Sequence, residues 1–257
     1  MDLGLAGKAV LVTGGSKGIG LACAQAFLAE GARVAICSRA QANIDAALKD
    51  LPGAIGFTAD LTDAEAAASM LEQVQAALGP LDVLVNSAGA AKRVVPEDLT
   101  PALWRTALDA KFFSYINVID PVVKAMAARR TGAIVNIIGS GGKVANPVHI
   151  AGGAANAALM LATAGLAAAY GRQGVRVVGL NPGITATGRV ASFLETNAKR
   201  EGISTAQALE RAVANIGLGR MADPADIANM AVFLASPRAG YVSGVTIGMD
   251  GVTTPVI

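Results

Sequence analysis

The sequence predicts a single α/β domain built on a doubly wound parallel sheet, and three observations carry that expectation. Apolar runs of four to eight residues recur seven times along the chain. Alanine-rich segments of helical length separate them. No Pro/Ser-rich linker, charge run or repeat other than that alternation divides the 257 residues. Runs that are apolar throughout suit strands covered on both faces, the condition of a parallel sheet between helical layers. Strand and helix in alternation give that architecture, and a chain of this length can bury one large core.

In order, the runs are AVLVT from Ala9, RVAICS from Arg33, AIGFT from Ala54, LDVLVNS from Leu81, AIVNII from Ala133, VRVVGLN from Val175 and GVTIGM from Gly244. Each is read as a strand, giving seven strands in one domain spanning 1–257. The least regular stretch, 188–219, has helical pattern between two glycine-containing junctions and is expected to form a lid over a pocket. One helical segment raises a question. IAGGAANAAL, from Ile150, puts Gly152, Gly153 and Asn156 in the first turns of an alanine-rich helix. Glycine there costs about 1 kcal/mol relative to alanine.

Composition narrows the function classes. Acids and bases are interspersed to a net charge of +2 and aromatics are only 4%, so neither a basic stripe nor a stacking surface for nucleic acid is expected. No apolar run is read as reaching the about 18 residues of a membrane span. The N-terminus has Asp2 and no long apolar region before its glycines, unlike a signal peptide. No membrane partner is expected, and the location is read as cytoplasmic. Cys23 and Cys37 lack metal-ligand spacing and lie in apolar stretches. They read as small buried hydrophobes, and no metal site is expected.

TGGSKGIG, at 13–20, comes directly after the first run and opens a helix. Gly14, Gly18 and Gly20 let the backbone turn tightly and approach a ligand with no Cβ in the way. The N–H groups and dipole of the helix start favour an anion there. The spacing is G-x-x-x-G-x-G rather than the general G-x-G-x-x-G fingerprint. Further segments fall after later strands: Asp60-Leu61-Thr62, Asn86-Ser87-Ala88-Gly89, NPGITAT from Asn181 to Thr187, and the stretch from Gly219 to Gly244 with Met249-Asp250-Gly251 after it.

Together these segments resemble the short-chain dehydrogenase/reductase family over about the full chain, with Ser87 where the family motif has asparagine. The resemblance implies a Rossmann fold and a nicotinamide dinucleotide. It would be held by Gly14, Ser16, Lys17, Gly18, Ile19 and Gly20 of the first loop and by Ser38 and Arg39 after the second strand. Asp60 and Leu61 would meet the adenine. Asn86, Ala88, Gly89, Pro182, Gly183, Ile184, Thr185 and Thr187 would complete the site toward the nicotinamide. A ribose 2′-OH is usually held by a carboxylate at the end of the second strand, a 2′-phosphate by cations. That strand ends Cys37-Ser38-Arg39 with no acid, and Lys17 sits in the loop. NADP(H) is therefore expected, with NAD(H) second.

The resemblance also implies a catalytic set of Asn, Ser, Tyr and Lys, the last two four apart on one helix face. Ser140 occupies the serine position. Aligned by its downstream residues, the IAGGAANAAL helix puts Gly152 at the tyrosine and Asn156 at the lysine; a one-residue shift gives Gly153 and Ala157, equally unable to act. Lys111, seven residues after Trp104, stands at the asparagine position. The only histidine, His149, precedes Gly152 by three residues. With no ring at 152, space opens for a larger substrate or a side chain from elsewhere. The alternative is that the glycines pack closely on a neighbouring backbone.

The function expected is an NADP(H)-dependent oxidoreductase acting on a small-molecule carbonyl, enone or imine with a non-standard acid/base set. Ser140 would hold the substrate oxygen. Lys111 is the first candidate proton source and His149 the second. A partly buried lysine beside the nicotinamide would have a lowered pKa and would disfavour the oxidised ring, which leans the reading toward reduction. Two alternatives stand beside it: a non-catalytic NADP(H)-binding homologue, and a non-redox lyase or isomerase. Residues 92–96 and 188–219 are expected to line the substrate pocket, with Val94, Val95, Phe193, Leu194 and Ile203 making it partly apolar. The helix from about Gly153 to Ala169 is expected to be covered on most sides. With the apolar chain end TTPVI from Thr253, it suggests a homotetramer, or a homodimer as second choice.

Overall fold

Every apolar run becomes a strand in the computed structural model, which describes residues 2–89 and 91–255. The strands are β1 (Ala9–Thr13), β2 (Arg33–Ser38), β3 (Ile55–Thr58), β4 (Val83–Asn86), β5 (Gly132–Ile137), β6 (Val175–Pro182) and β7 (Thr246–Met249). They form one parallel sheet in the order β3-β2-β1-β4-β5-β6-β7. This is the Rossmann arrangement expected from the sequence. Along β1, Val10 and Val12 enter the core on one face while Ala9 and Leu11 enter the core on the other. Both faces are dry, so period-2 alternation of polar and apolar residues is absent, as a doubly covered sheet requires.

One layer holds α1 (Gly18–Ala29), α2 (Gln41–Leu48) and α9 (Pro224–Ala235), contributing Phe27, Ile44 and Ile227 to the core. The other holds α3 (Ala64–Leu78), α5 (Ser114–Ala128) and α6 (Ile150–Tyr170), contributing Met70, Tyr115 and Leu159. The strand order reverses between β1 and β4, and ligands of open α/β sheets bind in the crevice outside the carboxyl ends of the strands at such a switch point. α4 (Pro101–Leu108) does not run straight into α5. A π-helical turn, Asp109–Phe113, lies between them.

One expectation about α6 (Ile150–Tyr170) needs correction. α6 has no charged residue over its 21 residues and is, by length and composition, long and apolar enough to cross a membrane. In the fold it packs on β6 and α4, with Ala155, Leu159, Thr163 and Ala167 buried one turn apart. Within the single chain, Ala154, Ala157, Leu161 and Gly165 form an exposed face, with Leu161 76% exposed.

The 188–219 stretch, expected to form a lid, folds as α7 (Gly188–Glu201) and α8 (Thr205–Ala214), joined through a capping box of Ser204 and Gln207. Leu194, Ala198 and Ala208 form the pair's own small core, with Ile203 packed against it. Leu194 and Ile203 thus help hold these two helices together. The apolar chain end expected to reach a partner includes Val256 and Ile257, which lie outside the described residues.

Candidate active site

A buried polar ladder fixes the floor of the crevice. Thr13 Oγ1 donates to Asn86 Oδ1 (3.3 Å), Asn86 Nδ2 to Asn136 Oδ1 (3.0 Å), and Asn136 Nδ2 to Thr163 Oγ1 (3.0 Å). It joins β1, β4, β5 and α6 at one level, since Thr13, Asn86 and Asn136 are register partners. Thr13 Oγ1 also accepts the N–H groups of Ser87 and Ala88, pinning the turn after β4. Gly14, at φ +66°, brings the first loop against that turn: a Cβ there would stand 2.8 Å from the Ala88 Cα. Two glycine-rich turns can then meet at the switch point, which no residue with a Cβ would permit.

Above this floor lies a cavity of about 890 Å³. Of the residues picked out in the sequence, Gly14, Ser16, Lys17, Gly18, Ile19, Ser38, Arg39, Asp60, Leu61, Ala88, Gly89, Pro182 and Thr187 line it, and so does Lys111. Lys17 and Arg39, distant in sequence, thus share one cavity. The Asp60 carboxylate accepts from Thr62 N (3.0 Å) and Thr62 Oγ1 (2.8 Å). Those bonds, then the charge of Arg39, hold its pKa below the usual carboxylate value. A second cavity, of about 800 Å³, lies near the starts of β4, β5 and β6, beside Lys8, Asp82 and Arg176. None of the residues picked out faces it.

Several picked residues are not among those that line this cavity. The Asn86 side chain belongs to the ladder. Gly20 packs against the Gly14 carbonyl, and Gly183 against Asp250. Ile184 O accepts from Ala222 N and Thr185 bridges to Ala222, so both hold the segment after β6 in place. Sequence reasoning missed Asn43 and Ser114, which also line the cavity, while Arg189, from the 188–219 stretch expected at the substrate pocket, lines it too. Asn43 is the one with a signal, since it lies one helical turn beyond Arg39.

At the inner end the π turn carries Lys111 inward. π turns of this kind are often found at functional sites. Lys111 is 7% exposed. Its Nζ donates to Tyr115 Oη (2.8 Å) and to the Ile137 carbonyl (2.9 Å), and the Tyr115 hydroxyl donates to the same carbonyl (2.6 Å). An ammonium has three donors, so one is left for the cavity. Burial, and secondarily the charge of Arg189, lower the Lys111 pKa to about 7. Burial raises that of Tyr115. Tyr115 was not foreseen, although it lies four residues beyond Lys111.

Ser140 opens a short 3₁₀ turn, Ser140–Gly142, directly after Gly139, which lines the cavity. Ser140 itself is half-buried and is not among the lining residues. Asn156 is buried, and its Nδ2 would stand 3.3 Å from a Cβ at Gly139. The imidazole of His149 lies over Gly152: a Cβ at 152 would stand 2.5 Å from Nε2 and 2.7 Å from Nδ1. Partial burial first, then the charges of Arg93 and Lys111, lower the His149 pKa. Val94 N donates to Val148 O (3.1 Å), tying the 92–96 loop to the histidine's loop. The Arg93 guanidinium stands 4.8 Å from the centroid of Phe193 on α7.

The family profile described as short chain dehydrogenase matches residues 8–198. The galactitol 2-dehydrogenase (L-tagatose-forming) of Cereibacter sphaeroides is 34% identical over 251 residues, covering 96% of this chain and 95% of that protein. The acetoacetyl-CoA reductase of Shinella zoogloeoides is 32% identical over 244 residues, covering 95% and 97%. Among solved structures, actinorhodin polyketide ketoreductase with NADPH superposes with a TM-score of 0.92 at 31% identity, covering 95% of this chain and 96% of that one. The L-sorbose reductase of Gluconobacter frateurii, complexed with NADPH and L-sorbose, gives 0.91 at 27%, covering 100% of both chains.

Proposed function

The chain belongs to the short-chain dehydrogenase family, and on that premise we propose that it is an NADP(H)-dependent reductase of small-molecule carbonyls, enones or imines with Lys111 as its proton donor. The carrying observation is the buried Lys111 ammonium on the wall of the cavity at the switch point. The cavity suits the cofactor on its own terms. Its loop approaches closely because Gly14 has no Cβ, and Lys17, Arg39 and Arg189 face it with no carboxylate where β2 ends. The NADPH-bound ketoreductase and sorbose reductase support the same choice.

When bound, NADPH supplies the hydride that a carbonyl carbon accepts. Lys111 Nζ gives a proton to the carbonyl oxygen and becomes a neutral amine, which Tyr115 and the Ile137 carbonyl keep in place until solvent protonates it again. A donor titrating near neutral pH is well matched to this task. The resemblance gives Ser140, next to the cavity-lining Gly139, the task of orienting the same oxygen. The resemblance puts Gly152 and Asn156 at the family's proton-handling pair, which favours a second reading, a protein that binds NADP(H) without hydride chemistry. The exposed face of α6 supports a homotetramer or homodimer.

One experiment separates the readings. The purified protein is incubated with NADPH and a panel of ketones, enones and imines while loss of NADPH absorbance is tracked, with NADPH and NADH titrated in parallel into wild type and Arg39→Ala. The reductase reading expects turnover of at least one probe and a far larger affinity loss for NADPH than for NADH. NADPH binding without turnover across the panel moves the assignment to the binding protein. Equal losses for both cofactors would refute the role of Arg39.

A further inference from the structure

The two glycines that flank the His149 ring explain each other. A Cβ at Gly141 would stand 3.3 Å from His149 Cδ2, and a Cβ at Gly152 would overlap the ring from the other side. The imidazole therefore lies in a slot between the Ser140–Gly142 turn and the first turn of α6. The slot exists because both walls lack side chains. The side chain of the helix's own N-cap residue, His149, has taken the space beside Gly152, the position at which the resemblance expects a tyrosine.

The slot also sets the ring's protonation. His149 Nδ1 is, among the described residues, the buried side-chain polar atom with no hydrogen-bond partner. Protonating Nδ1 would leave a buried N–H with no acceptor, which costs more than an unused lone pair. An imidazolium carries protons on both nitrogens, so it meets the same cost. The charged groups acting on the ring, Arg93 and Lys111, are both cationic and oppose a further positive charge. The remaining state is neutral with the proton on Nε2.

We propose that His149 is a catalytic residue, held as the neutral Nε2–H tautomer by the Gly141/Gly152 slot, and that this N–H hydrogen-bonds the substrate oxygen in place of the hydroxyl missing at position 152. The assignment rests on the reductase reading and deepens it. The hydride goes to the carbonyl carbon and the proton passes from Lys111 to the oxygen. His149 keeps its own proton throughout and stabilises the charge that develops on that oxygen. A donor aimed at a developing oxyanion is typically worth about 10²–10³-fold in kcat.

Because His149 is the only histidine, ring ¹⁵N–¹H correlation spectra of the whole protein report it without ambiguity. At pH 7, free and with NADPH, they should show the Nε2–H tautomer; an Nδ1–H tautomer or an imidazolium overturns the proposal. The second arm uses a probe from the carbonyl panel. Gly152→Ala, which puts a methyl where the ring lies, should lower kcat about 10²–10³-fold, as should His149→Ala. The double variant should lose little more, with NADPH affinity kept in all three. His149→Gln, whose amide N–H reaches the Nε2 position, should recover part of the loss and guards against a merely misfolded alanine variant. Full turnover in Gly152→Ala or His149→Ala sinks the proposal. Failure of every wild-type probe counts against the reductase reading, whereas a wrong tautomer counts against His149 alone.

Discussion

At the scale of single residues, Lys111 is a buried cation that the fold holds at a cost. Its pKa falls to about 7 in the fold against about 10.4 in an unfolded chain. Between those values the unfolded chain binds more protons, so stability should rise as pH increases from about 7 to about 10 and should carry its full penalty below that window. Lys111→Met removes the charge and leaves the Tyr115 hydroxyl donating to the Ile137 carbonyl, so both the hydroxyl and the carbonyl keep a hydrogen bond. We expect it to stabilise the protein at pH 7 on the order of 1–4 kcal/mol, the range seen when buried charges give way to apolar groups, with a rise in Tm of several degrees. The same change should cost about 10²–10⁴-fold in reduction. In wild type, reduction should decline above about pH 7 as the ammonium loses its proton. Thermal melts and rate profiles across pH 6–10 check both; full turnover in Lys111→Met would remove it as the donor.

At the scale of elements, local breaks in regularity do the positioning. The π turn between α4 and α5 swings Lys111 into the cavity wall, and the glycines of the Ser140–Gly142 turn and α6 admit an imidazole. The α7–α8 pair proposed as a lid has its own core of Leu194, Ala198 and Ala208. It meets the 92–96 loop through Arg93 over Phe193. An exposed cation–π contact is worth about 0.5–1 kcal/mol. Phe193→Ala should therefore leave the pair folded and raise KM for the best panel probe about two- to fivefold, with kcat little changed. An unaltered KM would mean that this contact does not shape substrate binding.

At the scale of the whole molecule, the sheet's order brings together residues from seven separate segments, because every βα connection past the switch point opens onto the same crevice. The outer surface carries a complementary clue. Leu161, with Ala154, Ala157 and Gly165, leaves an apolar face on α6 that nothing in the single chain covers. If that face pairs copies of the chain, sedimentation velocity at micromolar concentration should give a tetramer or dimer, and Leu161→Glu should dissociate it while preserving the fold. A stable wild-type monomer would end the assembly proposal.

By itself the sequence determined the seven strands, their single parallel sheet and the glycine loop at its switch point. Short-range rules account for these: apolar runs need two covered faces, and a chain that must touch a ligand or another turn needs glycine. It also made legible that Gly152 and Asn156 stand where the resemblance expects a proton-handling pair, and that Lys111 and His149 are the groups to ask about. Only the tertiary structure decided what fills the gap and what faces the cavity. The His149 ring lies in a slot whose second wall, Gly141, comes from a different loop. Asn86 proved to be spent on a ladder across three other elements, and Leu194 and Ile203 to help hold α7 and α8 together. Tyr115 became Lys111's partner through a π turn that no periodicity announces. Each of these depends on which distant segments share a surface, and burial and hydrogen-bond satisfaction across that surface are properties of the assembled chain.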